Sequence, residues 1–411
     1  MDLITFKPRL AFAFASALAV VCLVGCGGGD DDSAGEPDGG EQVDADVDAP
    51  PGCQPVVPTA TVIAPGGSDV AASVRDLVVT STGRVGVFHW ISGGVAARVW
   101  DGSSWTRRDV YGGSNGGYSA HAVSEIDGRP VLLATPSDTS GDSDKLRAWP
   151  QLASGDFAAG QVVPVAPNDV DVATVARYSP TSSVLAAAGM TGDFRTLLSY
   201  ERGPTGSWAV QFVDAVATQF GSVYADGVGT LADGTAVITS HGAEGLILHR
   251  RTGLQWSDYR TLVAGEVIAG AVAFPPAGSP APFAVAVYQR SGTQAQRGAL
   301  VSLTDGTASA DTELLPVGGI DYSEVAFDPD GTRGTILLVD ADGRRAWIAT
   351  FEGAAFTTAT ELRPDRVFET GPHIVQHPCG GTMILHVTRA PTDAEWSAPA
   401  VLEPLADFRV P

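Results

Sequence analysis

The chain has 411 residues, of which 44% are apolar and 18% charged, so it can bury a large core and is not disordered along its whole length. Acidic residues outnumber basic ones 47 to 25, and a surface of that charge repels a phosphate backbone, which argues against nucleic acid as a partner. The 49 glycines and 27 prolines follow no three-residue period, which excludes collagen and indicates many turns.

The first 25 residues have the features of an export signal. Lys7 and Arg9 give it a positive start, and residues 10–24 form an uncharged run of 15 residues, which is too short for a comfortable membrane span. The run ends in Leu-Val-Gly-Cys26, which resembles the lipobox of bacterial lipoproteins. This resemblance implies cleavage before Cys26, a diacylglycerol on its sulfur and an acyl chain such as palmitate on its freed amine. Several acyl chains on one residue would anchor the chain stably in a membrane.

Residues 26–52 are predicted to form a disordered tether. Residues 27–51 contain nine acids, six glycines and no aromatic residue, so they cannot bury enough surface to offset the entropy of ordering. Gly27 follows the cysteine, and in the sorting rule known for some Gram-negative lipoproteins a residue other than Asp there favours the outer membrane. We therefore expect a lipid-anchored protein of the bacterial cell envelope, in the outer membrane.

Two cysteines remain once the signal is removed and Cys26 is lipidated, namely Cys53 and Cys379. An exported chain enters an oxidising compartment, where an even pair of cysteines favours a disulfide. Two buried free thiols are the alternative.

From residue 70 onward, short strand-like segments alternate with turn signals, which predicts an all-β fold. Two ladders recur with a step of about 50 residues, which is typical of propellers and solenoids. The first ladder is an aromatic residue after a polar turn, at Trp105, Phe157, Trp208, Trp256, Phe356 and Trp396. The second is a turn glycine, at Gly83, Gly128, Gly234, Gly278, Gly331 and Gly381. With one gap filled in each ladder, the sequence predicts a seven-bladed β-propeller of four-stranded antiparallel blades over residues 53–411, with the aromatic residues packed between blades.

The last unit is shorter than the others by about the length of one strand. Gly381 and Trp396 are 15 residues apart, whereas Gly234 and Trp256 are 22 apart. Residues 55–63, which precede the first blade, could supply the missing strand and so close the ring. A disulfide from Cys53 to Cys379 would then hold the two ends of the chain together.

Three short motifs bear only a weak resemblance to functional sites. Ser114 lies in a Gly-rich hexapeptide that resembles the nucleophile elbow of prolyl-oligopeptidase-type peptidases, but a strand-like pattern follows it where the elbow needs a helix. The turns at Asp101-Gly102 and Asp305-Gly306 loosely resemble the Asp box of sialidase-like propellers. Asp-Gly pairs are also common hairpin turns. The sequence therefore predicts no catalytic residue, no metal site and no cofactor.

Propellers usually bind ligands at the central channel, where the first strands of the blades converge. Counting seven residues back from the turn glycines places Asp76, His121 and Glu324 on these strands, and His373 lies close by in the last unit. These four residues are the candidate channel residues. A register slip of one residue would move each side chain to the other face of its blade.

The first hypothesis for function is a monomeric, non-enzymatic binding or scaffold module that recognises a protein or a glycan through a propeller face. Residues 53–411 carry 23 basic and 37 acidic residues, a net charge of −14, which favours cationic or neutral partners. One alternative is a glycan hydrolase or lyase with a carboxylate at the channel mouth. Another is an outer-membrane assembly factor similar to the lipoprotein propeller of that machinery. Two carboxylates within about 10 Å in a deep pocket would favour the glycan hydrolase.

Overall fold

The computed structural model describes 15 ranges of the chain. These are residues 60–66, 74–91, 94–112, 118–126, 128–136, 147–162, 175–177, 184–191, 194–202, 208–214, 224–253, 255–276, 279–316, 318–378 and 381–409.

These ranges contain 29 strands and one short helix, α1 (Leu405–Phe408). The first strands in chain order are β1 (Thr61–Ala64), β2 (Val74–Val79), β3 (Val85–Ile91), β4 (Gly94–Trp100), β5 (Trp105–Gly112), β6 (Tyr118–Ile126), β7 (Arg129–Pro136), β8 (Arg147–Pro150), β9 (Gln161–Val162) and β10 (Val175–Arg177). The next are β11 (Val184–Thr191), β12 (Phe194–Arg202), β13 (Trp208–Asp214), β14 (Tyr224–Thr230), β15 (Ala236–Gly242), β16 (Gly245–Thr252), β17 (Gln255–Ala264), β18 (Val267–Ala273), β19 (Phe283–Arg290) and β20 (Gln296–Ser302). The last are β21 (Thr312–Leu315), β22 (Ile320–Phe327), β23 (Arg333–Asp340), β24 (Ala346–Glu352), β25 (Ala355–Phe356), β26 (Thr360–Glu361), β27 (Val367–Gln376), β28 (Thr382–Arg389) and β29 (Ala400–Pro404). No helix within these ranges is long and apolar enough to cross a bilayer.

Antiparallel sheets form the blades of a propeller, which confirms the predicted all-β propeller but not the predicted blades. Four-stranded sheets are formed by β2–β5, β6–β9, β10–β13, β14–β17 and β18–β21, and a further one has the order β1-β29-β28-β27. The strands β22–β26 form a five-stranded sheet. The first strand of each sheet contacts the first strand of the next, in the order β2, β6, β10, β14, β18, β22, β27 and back to β2. The sheets are therefore arranged around an axis, and their apolar faces bury one another.

The prediction of seven four-stranded blades is wrong, because six blades have four strands and the sheet β22–β26 has five. In that sheet the outer strand is split, so that β25 and β26 pair with opposite ends of β24. Just before β26, the N–H of Ala359 donates to the carbonyl of Leu314 in the neighbouring blade, at 2.8 Å. This contact between blades diverts the chain from β24 and interrupts the strand.

The last blade is completed by a strand from the other end of the chain, as the short last unit predicts. β1 pairs with β29 and forms the outer edge of the sheet, with a bulge at Ile63. Ile63 and Ala64 are buried in one apolar cluster with Val85 of the first blade and Leu385 of the last. The closing strand covers Thr61–Ala64, and the rest of the predicted segment lies outside the described residues. Cys53 and Cys379 also lie outside them, so their disulfide stays a prediction.

The turn glycines connect the first strand of a blade to the second. Gly83 and Gly331 have φ angles of 79° and 71°, which a residue without Cβ adopts without strain. The second strands predicted after these glycines, such as β3 and β23, are present. Gly278 lies outside the described residues.

The predicted packing of the ladder aromatics between blades is confirmed at Trp256 and wrong at Trp396. Trp256 is buried at the start of β17, and its indole N–H donates to the hydroxyl of Ser199 in the preceding blade, at 3.0 Å. Trp396 instead lies in a turn, with 43% of its surface exposed. In the last blade β1 occupies the outer position, so the chain after β28 does not supply an outer strand there and Trp396 does not fill a gap between blades.

Acid sensitivity of the first blade is expected from His89 on β3. Its side chain is buried, and burial, together with the charges of Arg98 and Arg107, lowers its pKa to about 4. In the unfolded chain a histidine has a pKa of about 6.5, so between pH 6.5 and 4 only the unfolded state gains this proton. Stability should therefore fall with pH in that range, by about 3 kcal/mol from this group. Urea unfolding of the protein and of His89→Leu at pH 7 and pH 4.5 measures it: the variant should lose less stability, and equal losses would contradict the assignment.

Candidate functional site

A cavity of about 910 Å³ lies at one end of the propeller axis. The turns between first and second strands supply most of its wall, including residues 79–81, 228–232, 274–276 and 279–282. Gln376 and Pro378 of the last blade add to it. Because these turns follow the ends of the first strands, which surround the axis, the cavity lies at the mouth of the channel on that side.

The wall of this cavity is apolar and hydroxyl-bearing. Its described lining includes six prolines, namely Pro275, Pro276, Pro280, Pro282, Pro329 and Pro378. Among the described lining residues, Glu125 is the one carboxylate. It is buried, and it accepts hydrogen bonds from the N–H of Ser81, at 2.5 Å, and from the Ser81 hydroxyl. The carboxylate is therefore already engaged by the protein, and no other charged side chain is among the described lining residues.

The four candidate channel residues all lie on first strands: Asp76 on β2, His121 on β6, Glu324 on β22 and His373 on β27. The structure brings two of them together. Nδ1 of His373 lies 2.6 Å from Oε1 of Glu324, and the N–H of Ile374 donates to Oε2 of Glu324, at 2.8 Å. This acid–histidine pair links neighbouring blades. The side chain of His121 lies outside the described residues.

Tyr322 completes this group, and sequence reasoning missed it. Its ring stacks on His373 with centroids 5.8 Å apart and planes at 22°, and its hydroxyl donates to the carbonyl of Pro372, at 2.7 Å. Burial raises the pKa of Tyr322 well above its usual value, and the nearby carboxylates Glu324, Asp321 and Asp76 raise it further. The phenol is therefore neutral, and Asp76 is within electrostatic reach of Tyr322.

A second group of a tyrosine, an acidic residue and a histidine lies in the blade of β14–β17. Nδ1 of His241 lies 2.5 Å from Oδ1 of Asp226, and Tyr224 stacks on His241 with centroids 5.0 Å apart. Burial raises the pKa of Asp226 despite the attraction of His241. Tyrosine precedes the acid by two residues on both first strands, a repeat in the sequence that could have identified both groups.

Exposure separates the two groups. The side chains of Glu324 and His373 are 28% and 20% exposed, whereas those of Asp226 and His241 are 1% and 8% exposed. A ligand in the channel could therefore reach Glu324 and His373, while the second pair is enclosed and acts in packing.

Other motifs in the sequence are parts of turns or of the core. His377, four residues after His373, is buried with Nε2 3.1 Å from the carbonyl of Gly83. No three His, Cys, Asp or Glu side chains come together as a metal site in the part of the chain that the structure describes. Asp101 accepts the N–H groups of Ser103 and Ser104, each at 2.9 Å, and these hydrogen bonds lower its pKa. Ser114 lies outside the described residues.

Comparison with known proteins gives a fold and no family. No family model and no curated protein matches the chain. Among solved structures, the Dos1 propeller has a TM-score of 0.51 at 9% identity, over 85% of this chain and 95% of that one. A PL25 ulvan lyase has a TM-score of 0.44 at 10% identity, over 69% and 80% of the two chains. The NanB sialidase of Streptococcus pneumoniae has a TM-score of 0.46 at 10% identity, over 85% and 71%. At such identities the likeness to the Dos1 propeller shows the fold alone, and the chain is an all-β propeller.

Proposed function

We propose that this chain is a lipid-anchored binding module of the bacterial cell envelope, which takes an uncharged glycan or protein segment at the mouth of its propeller channel. The cavity of about 910 Å³ is the observation that carries the proposal, because sites for ligands are concave, mostly apolar and supplied with a few polar groups. Its prolines give a rigid apolar wall, and the hydroxyls of residues such as Thr230 and Thr304 offer hydrogen bonds.

The chemistry of the wall favours binding over hydrolysis. Most glycoside hydrolases place two carboxyl groups on opposite sides of the bond that they cleave. Among the described lining residues of this cavity, Glu125 supplies the single carboxylate, and it accepts hydrogen bonds from Ser81. A wall of this kind can hold a ligand but lacks the pair of acids that would cleave it.

A bulky side chain in the cavity should weaken binding. Pro280 is exposed on the cavity wall, whereas Thr312 is exposed on the outer strand β21. We expect Pro280→Trp to weaken binding at least about tenfold, which corresponds to about 1.4 kcal/mol, and Thr312→Trp to leave it unchanged. The measurement uses full-length protein in detergent, with neutral envelope oligosaccharides and purified envelope proteins tested separately. Equal affinities of the two variants would contradict the assignment of this cavity.

A glycan-processing enzyme is the second candidate, and the accessible pair of Glu324 and His373 favours it. A histidine that is oriented by a carboxylate can transfer a proton to or from a bound substrate. The test asks whether the protein shortens an oligosaccharide that it binds. If it does, this candidate requires that His373→Gln no longer shortens it. Shortening should continue in His241→Gln, which removes the enclosed histidine of the second pair. If the oligosaccharide stays intact, the enzyme is contradicted and binding remains the proposed function.

The lipid anchor has its own test. We expect Cys26→Ser to move the protein from the membrane fraction to the soluble fraction and to abolish incorporation of an alkyne-labelled fatty acid, because no other residue is expected to hold it in the membrane. Ser33→Ala in the tether is the matched control and should leave both unchanged. Membrane attachment of Cys26→Ser that survives a carbonate wash would contradict the anchor.

A further inference from the structure

The wall of the cavity at the channel mouth offers a ligand few hydrogen-bond donors. Its six prolines have no backbone N–H. No arginine, lysine or histidine is among the described lining residues. Donors for a ligand must therefore come from the hydroxyls of the wall, from the amide of Gln376 and from the N–H groups of residues other than proline.

The turn after β14 uses its N–H groups inside the protein. The N–H groups of Leu231, Ala232 and Gly234 donate to the carbonyls of Thr235, Leu303 and Leu231, at 2.9, 2.7 and 2.9 Å. All three donors belong to residues that line the cavity. This part of the wall therefore keeps no N–H of these residues for a ligand.

The turn after β18 is bonded in the same way. The N–H of Ser279 donates to the carbonyl of Pro276, at 3.0 Å, and the N–H of Ala281 donates to the hydroxyl oxygen of Ser279, at 3.1 Å. That hydroxyl in turn donates to the carbonyl of Asp330, at 2.6 Å. A carbonyl oxygen accepts two hydrogen bonds, so the carbonyl of Pro276 keeps an acceptor position after it has received the N–H of Ser279. The turns of the wall can therefore accept more hydrogen bonds than they can donate.

Phe274 is the one aromatic residue among the described lining residues. Its ring packs so closely on Gly229 of the neighbouring blade that a Cβ on Gly229 would overlap it. It also packs against the buried side chains of Leu231, Val237 and Leu248. Phe274 is half-buried. The ring is therefore held in one place, and its exposed part belongs to the cavity wall.

We propose that the ligand of this cavity is a neutral saccharide with one sugar ring on Phe274, an inference that rests on the proposed function. Each sugar hydroxyl brings a donor, which suits a wall that mainly accepts hydrogen bonds. The faces of a pyranose ring carry C–H groups, and these apolar faces pack against the phenyl ring of Phe274 and the prolines.

Other classes of ligand suit this wall less well. A peptide segment brings one carbonyl for each N–H, and every carbonyl that is buried without a donor weakens binding. A cationic ligand needs a free carboxylate, whereas Glu125 already accepts hydrogen bonds from Ser81. An anionic ligand meets no basic side chain among the described lining residues.

The test measures binding of two panels to full-length protein in a detergent without a sugar headgroup. One panel holds neutral oligosaccharides of glucose, galactose, mannose, rhamnose and N-acetylglucosamine, and the other holds uncharged hexapeptides. We expect binding in the first panel and none in the second. An oligosaccharide that binds is then remade with single hydroxyls replaced by fluorine, which removes the donor with little change in size. At one or more positions this replacement should weaken binding about fivefold.

A variant of Phe274 tests the stacking. Phe274→Leu keeps an apolar side chain beside Gly229 and removes the flat face of the ring. We expect it to weaken oligosaccharide binding about two- to tenfold. Phe356→Leu is the matched control, because it changes a half-buried phenylalanine on the outer strand β25, and it should leave binding unchanged.

The outcomes separate the ligand class from the site. Hexapeptides that bind the protein, and bind Pro280→Trp more weakly, would overturn the saccharide and keep the cavity as a binding site. Affinity that is unchanged in Phe274→Leu and in every fluorinated analogue would overturn the saccharide as well. Binding in neither panel, or binding that Pro280→Trp does not weaken, would contradict the proposed function and this proposal with it.

Discussion

Ile63→Asp will lower the free energy of unfolding by more than about 4 kcal/mol, because it removes a buried branched side chain and puts a charge in its place. Ile63 lies on the closing strand β1 and packs against Val85 of the first blade and Leu385 of the last. The substitution therefore breaks the contact that joins the two ends of the ring. Urea unfolding followed by tryptophan fluorescence measures the loss.

The neighbouring residue provides the control. Val62 is on the same strand but 58% exposed, so Val62→Asp should change stability by no more than about 0.5 kcal/mol. Ile63→Val, which keeps the shape of the side chain, should cost about 1 kcal/mol. Comparable stabilities of Ile63→Asp and Val62→Asp would show that β1 does not close the ring.

Glu369→Ala is expected to destabilise the protein by about 3–5 kcal/mol, since it removes the buried carboxylate 3.1 Å from Arg389 and leaves that charge the exposed Glu395 at 3.8 Å. The two side chains are 3% and 8% exposed, so water cannot replace the lost carboxylate. The backbone N–H of Trp396 loses its acceptor in the same variant. We therefore expect the loop of residues 390–399, between β28 and β29, to become sensitive to proteolysis as well, and urea unfolding with limited proteolysis measures both effects.

A double variant tests whether the loss of stability in Glu369→Ala comes from its ion pair with Arg389. Glu369→Leu with Arg389→Met replaces both charges by apolar groups of similar size, which often restores most of the stability of a buried ion pair. The loss in the double variant should therefore be smaller than the sum of the losses in the two single ones. Additive losses would show that the two residues act independently.

The recurring pattern of the blades can be predicted from the sequence, but the split outer strand and the position of Trp396 cannot. Turn glycines recur because turns such as those at Gly83, Gly234 and Gly331 need a left-handed residue, and a short last unit requires a strand from elsewhere. The split outer strand of β25 and β26 was not predictable, because it depends on the hydrogen bond from Ala359 to Leu314 in another blade. The position of Trp396 could not be predicted for a similar reason. The spacing of the aromatic ladder predicts that Trp396 begins the outer strand of the last blade, but β1 from the other end of the chain occupies that outer position.

The candidate site was predicted in part. Glycine spacing placed Glu324 on a first strand and left His373 close to one in the last unit, and both lie on first strands in the structure. Their contact could not be predicted, since it joins two blades and depends on how the ring brings β22 beside β27. The cavity was also missed, because its prolines come from turns that are far apart in the sequence.

Photochemical crosslinking tests the central claim, that the ligand binds at the channel mouth, most directly. The full-length protein is made in its own membranes with benzoylphenylalanine in place of Pro280 on the cavity wall or of Thr312 on β21. After irradiation, the mass of the purified protein is measured. We predict an adduct of defined mass at position 280 that is absent at position 312. No adduct at 280, or the same products at both positions, would contradict the account.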